Sequence, residues 1–131
     1  MSARLIDPTT EPHLVIVGRT WNIPSVFQVI AMQYDENSET VYIDIPRHFD
    51  GVDRSAYEIY LRTVSEEGGI NEIHFTSNEL EITDDLIVAA WTLRPPQTTY
   101  SGVLRIHIVI RNGEDYQWSS YSGTVRIKEL D

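Results

Sequence analysis

The chain of 131 residues contains no cysteine. Disulfide frameworks, thiolate metal sites and cysteine nucleophiles are therefore excluded, while the redox compartment stays open. Basic residues are scarce: 10 lysines and arginines stand against 20 aspartates and glutamates, a formal charge of −10. A field of that sign repels phosphate backbones and anionic membranes, so neither nucleic acid nor membrane is expected as a partner. The excess acid reads most simply as colloidal solubility. No apolar run approaches the length that spans a bilayer, and Met1-Ser-Ala-Arg-Leu-Ile-Asp-Pro8 lacks the apolar stretch of a signal peptide. The expectation is a soluble chain.

Motifs for chemistry are missing as well. No Gly-x-Ser-x-Gly elbow, glycine-rich phosphate loop or dinucleotide fingerprint occurs, which leaves nucleophilic and nucleotide chemistry without support. His13, His48, His74 and His107 are scattered beyond metal-ligand spacing and read as surface histidines. Asp50-Gly-Val-Asp53 resembles a fragment of a calcium loop, but the remaining ligands and the closing glutamate are absent, so it reads as a turn. Glu66-Glu67 and Asp84-Asp85 read as solvated turn tips rather than an acid–base pair. No catalytic residue, cofactor or metal is expected, and the chain reads as a non-enzyme.

What is present is strand pattern. Apolar residues make up 41% and charged residues 23% of the chain, the balance of one ordinary globular domain. Residues 1–12, with Pro8 and Pro12, predict an extended N-terminal arm, and 13–131 a single β domain. Leu14–Val17 is a short β-branched run closed by Gly18. Val26–Tyr34 suits a strand or one to two helical turns. Val41, Ile43 and Ile45 alternate with Tyr42 and Asp44, and Tyr57, Ile59 and Leu61 share one face of the next strand. The Glu66–Gly69 turn predicts an antiparallel hairpin into Ile70–Phe75, followed by a short patch at Leu80–Ile82. Leu86–Leu93 reads as a strand buried on both faces, with Trp91 as a core anchor, ended by Pro95-Pro96.

The clearest strand runs from Val103 to Arg111, with Leu104, Ile106, Ile108 and Ile110 on one face and Arg105, His107 and Arg111 on the other. Asn112-Gly113 predicts a type I′ hairpin turn into Tyr116–Ser120, and Val125 and Ile127 alternate with Arg126 and Lys128 near the end. Together these patterns predict an all-β fold, two antiparallel sheets packed as an Ig-like or jelly-roll-like sandwich. Of the aromatics, Trp21, Trp118 and Tyr121 stay open between packing and a surface role, including a sugar-stacking platform.

Four segments carry a resemblance: Thr20-Trp-Asn-Ile-Pro24, Asp35-Glu-Asn-Ser-Glu-Thr-Val-Tyr-Ile-Asp-Ile-Pro-Arg-His-Phe-Asp-Gly51, Trp91-Thr-Leu93 and Thr99-Tyr-Ser-Gly102. As a set they resemble small β-sandwich structural proteins of tailed phages and prophages, the group of the baseplate upper protein N-terminal domain. The resemblance covers about residues 19–130. It departs from the group at Ile43, where an aromatic is usual, and the chain stops at Asp131 without the receptor-binding extension many relatives carry. It implies a virion component, at the baseplate, tail or capsid surface, that works through protein–protein contacts in a homo-oligomeric assembly. A carbohydrate-binding or host-adhesion module, with a glycan as ligand, stands as the alternative. Candidate partner contacts are Arg47, His48, Trp21, Trp118 and Tyr121. Pro46 redirects the chain and leaves the Arg47 fork either to a carboxylate of a neighbouring subunit or to solvent.

Overall fold

β-branched residues alternating with polar ones commit most of the chain to strands, and the computed structural model describes residues 12–67 and 69–130. The predicted arm, residues 1–12, lies outside the described residues except for Pro12. Among the described residues thirteen strands follow in order: β1 Leu14–Val17, β2 Thr20–Asn22, β3 Val29–Met32, β4 Thr40–Pro46, β5 His48–Phe49, β6 Val52–Asp53, β7 Glu58–Ser65, β8 Gly69–His74, β9 Leu80–Ile82, β10 Leu86–Thr92, β11 Gly102–Asn112, β12 Tyr116–Ser119 and β13 Gly123–Lys128. The ambiguous segment 26–34 divides between both readings, a 3₁₀ turn at Ser25–Phe27 and then β3.

The first sheet has the order β2-β1-β4-β10-β9 and the second β3-β13-β11-β7-β8, with β12 pairing the far half of β11. The two inner faces share one core. Ile43, Ile45, Ala89 and Trp91 of the first sheet meet Ile59, Leu61, Ile106 and Ile108 of the second, which makes the fold a sandwich. Full burial of each such aliphatic side chain contributes about 1.5–3 kcal/mol, so this cluster dominates stability. The sheets are not purely antiparallel: β1 runs parallel to β4 and β3 parallel to β13. Both parallel partners are edge-side strands of four residues whose apolar face completes a core already fixed by the antiparallel ladders.

Two local expectations are corrected. The Asn112-Gly113 hairpin forms, but its turn centres on Gly113-Glu114, closed by the Asp115 N–H donating to the Asn112 carbonyl at 3.1 Å. Of the pair Asn112-Gly113 only the glycine has positive φ. The pair with positive φ at both residues, as type I′ requires, is Asp50-Gly51, at 50° and 78°. It joins β5 to β6, a small hairpin that periodicity did not reveal. His13 is buried rather than at the surface, because its Nδ1 is bonded to the Asp44 carboxylate at 2.5 Å.

The β5–β6 hairpin closes one end of the sandwich. Arg54, fully buried, lies with its guanidinium 4.3 Å from the Trp118 ring and 5.4 Å from Phe49. Arg19 covers the same two rings at 5.2 and 5.1 Å and donates to the Ser119 carbonyl at 2.6 Å. Among the described residues, no helix is long and apolar enough to cross a membrane and no cluster of metal-ligating side chains occurs.

Candidate functional site

The outward residues of the second sheet come from strict alternation. In β11 and β13 the inward positions are Leu104, Ile106, Ile108, Val125 and Ile127, which turns Arg105, His107, Arg126 and Lys128 outward. Pairing of β11 with β7 and β13 then aligns Thr124, Arg105 and Val64 in one row and His107 with Arg62 in the next. The face collects five of the ten basic residues, Arg62, Arg105, Arg111, Arg126 and Lys128, but only two of the twenty acidic ones, Glu58 and Glu72. Its formal charge is +3, and the rest of the chain carries −13.

These cations differ in availability. Glu72 accepts from Arg62 Nη2 at 3.0 Å and from Arg111 Nη1 at 3.0 Å. Partial burial of this carboxyl pushes its pKa up, but the two guanidiniums outweigh that and hold it below the ordinary value. Arg105, Arg126 and Lys128 are exposed and have no ion-pair partner among the described residues. His107 is held below its ordinary value by partial burial and by the nearby Arg62, with a smaller push from Arg105. At neutral pH it is uncharged and the arginines define the field.

Three adjoining hollows cross this side of the molecule. One of about 240 Å³ runs beside Val103, Arg105 and Val64, with Glu66 of the turn after β7 at its border, and one of about 320 Å³ beside Val103, Arg126 and Gln28. The third, about 370 Å³, lies between Trp21 and Tyr121 and shares Thr124 and Gln28 with its neighbour. Trp21 is fixed there: its Nε1–H donates to the Tyr121 carbonyl at 2.8 Å and to Ser120 Oγ at 3.1 Å. Its ring lies on Gly123, where an added Cβ would come within 2.8 Å of Cγ. Tyr121 stands beside it, 64% exposed.

The sequence candidates therefore divide. Trp21 and Tyr121 are brought together on the groove. Trp118 is only 3% exposed beneath Arg54 and Arg19, which removes it as a surface contact. Arg47 offers no open fork, because its own chain supplies the carboxylate. Nη2 and Nε donate to Asp53 at 2.9 and 3.1 Å, and Nη1 to the Thr83 carbonyl at 3.0 Å. The tight Asp50-Gly51 turn brings Asp53 back opposite His48, within reach of that fork. The pairing, with the Ser55 N–H, holds Asp53 far below the usual carboxylate range. His48 is exposed, its Nε2 3.9 Å from Asp53, and lies apart from the groove.

Arg105, Arg126 and Lys128 were not singled out by sequence. Alternation placed each outward on its own strand, but only the adjacency of β11, β13 and β7 adds the rows into one basic face. Compared with protein-family models, with curated proteins and with solved structures, the chain shows no match.

Proposed function

We propose that this protein is a non-enzymatic structural component of a tailed-phage virion, holding its place through protein–protein contacts made by the outer face of the second sheet. The observation that carries the contact is the division of charge, +3 on that face against −13 elsewhere. At ordinary ionic strength the Debye length is about 8 Å, so a docking partner meets the local cations rather than the net charge of the whole chain. The partner surface is acidic, and Val103, Val64 and the Trp21–Tyr121 pair supply apolar contact beside the charges. The phage assignment rests on the resemblance of the strand and turn motifs.

The test is incorporation. Particles purified from an induced producing strain are expected to contain the chain, and an Arg105→Glu/Arg126→Glu double variant, folded by circular dichroism, is expected to be depleted from them at least tenfold. Absence of the wild-type chain from particles overturns the virion reading; undiminished incorporation of the double variant overturns the face.

A second reading, a carbohydrate-binding module, is favoured by Tyr121 standing exposed beside Trp21 in the third hollow. A glycan array distinguishes it: binding abolished by Tyr121→Ala but not by the charge reversals supports sugar stacking over protein docking.

A further inference from the structure

Sheet edges expose unpaired main-chain groups, and folded proteins blunt them with short strands, prolines, lysines, bulges or covering side chains. Most edges here are blunted. β2 and β9 have three residues each. β3 has four and meets β13 across a register shift. β12 has four, and Arg19 donates to its last carbonyl, that of Ser119.

β8 is different. It has six residues, no lysine or proline, and an unbroken register against β7 from Tyr60–His74 to Ser65–Gly69. The Phe75 N–H donates to the Ile59 carbonyl at 3.0 Å, which fixes the alternation of the ladder. Gly69, Asn71 and Ile73 bond inward to β7, while Ile70, Glu72 and His74 turn their N–H and C=O groups to the side of β8 on which no strand pairs among the described residues. On this edge Ile70 is 70% exposed.

We propose that β8 pairs antiparallel with β8 of a second copy about a two-fold axis at Glu72, joining two second sheets into one. Each Glu72 then exchanges main-chain bonds with its counterpart, and Ile70 with His74 of the other copy, so every outward group from 70 to 74 is satisfied. The side chains suit this register. The facing Glu72 carboxylates sit among four guanidiniums, since each already accepts from its own Arg62 and Arg111. The exposed Ile70 lands against His74 of the second copy, a ring stacked at 4.4 Å on its own Tyr60. The contact adds a self-association to the assembly reading, and its test on pure protein is independent of particle incorporation.

Sedimentation of the purified chain from micromolar to submillimolar concentration is expected to show a monomer–dimer equilibrium. Amide exchange by NMR is expected to slow with concentration at Ile70, Glu72 and His74, with Ile73 slow throughout. His74→Pro removes an outward donor without touching a β7 bond and should weaken the dimer at least tenfold, whereas His74→Ala keeps the amide and the dimer. Should His74→Pro fail to fold, Ile70→Lys, at an exposed position, is expected to weaken the dimer to the same extent. A chain monomeric throughout, free exchange at 70, 72 and 74 at all concentrations, or a dimer indifferent to a folded His74→Pro and to Ile70→Lys overturns the pairing.

Discussion

The guanidinium of Arg54 lies 4.3 Å over the indole of Trp118, and both residues are buried. Arg54 donates from Nη2 to the Pro46 carbonyl, but Nε and Nη1 have no hydrogen-bond partner among the described residues. Burial accordingly pushes this guanidinium below its ordinary value, with Tyr116 opposing part of the shift. The arrangement favours shape and ring contact over charge pairing, which sets up a comparison of substitutions.

Arg54→Ala opens a cavity under the β5–β6 hairpin and should cost about 3 kcal/mol. Arg54→Met keeps the stem against Trp118 and Phe49 while deleting the unpaired donors, and should stay within about 1 kcal/mol of wild type. Urea unfolding followed by tryptophan fluorescence measures both. Equal losses would mean that the charge itself, not the filled volume, stabilises this end.

A second prediction concerns Gly123, which exists as glycine because Trp21 lies across it. A Cβ there would stand 2.8 Å from Trp21 Cγ and 3.1 Å from Ile23 Cδ1. Gly123→Ala should destabilise by about 1–3 kcal/mol. In the Trp21→Leu background the added cost should shrink, since the clashing ring is gone. A strictly additive double mutant contradicts this packing.

Much of the fold was legible in the sequence because alternation reports burial directly. Leu14–Val17 and the inward row Leu104, Ile106, Ile108 and Ile110 are placed as the pattern predicts. Trp91 anchors the core as expected. What escaped depends on pairing across long sequence separations. Nothing local says that Arg54 will stack on Trp118, that Arg47 will meet Asp53 in a hairpin of two-residue strands, or that β1 and β3 will run parallel to their neighbours. The candidate face suffered the same way: its cations are visible strand by strand, but their sum requires the strand order.

His107 gives a pH prediction. It faces Arg62 directly across the β11–β7 ladder, and partial burial together with that charge lowers its pKa from 6.5. A base held neutral by the fold contributes stability that is complete above about pH 6.5 and lost as the pH falls through the lowered folded value. NMR titration of the His107 ring should therefore give a midpoint below 6.5, moving upward in Arg62→Gln. A midpoint at or above 6.5 in the wild type removes the argument.

Two of the Gly-containing hairpin turns, Asp50-Gly51 and Gly113-Glu114, make the last prediction, which separates turn chemistry from dipeptide resemblance. Gly51 has φ of 78° and Gly113 of 56°, while Asn112 is absent from the positive-φ residues. Gly51→Ala and Gly113→Ala should each cost about 1 kcal/mol, since a Cβ is disfavoured in the left-handed region even where space is open. Neither added Cβ meets an atom within 4 Å, so the cost is conformational rather than steric. Asn112→Ala should change stability by less than about 0.5 kcal/mol, because its backbone has no need of the asparagine's tolerance for positive φ. The companion test is Asp50, whose φ of 50° asks for that tolerance. Asp50→Asn should be neutral and Asp50→Val costly by thermal unfolding, and the opposite ordering, with Asn112 the sensitive position, would place the type I′ turn back at residues 112–113.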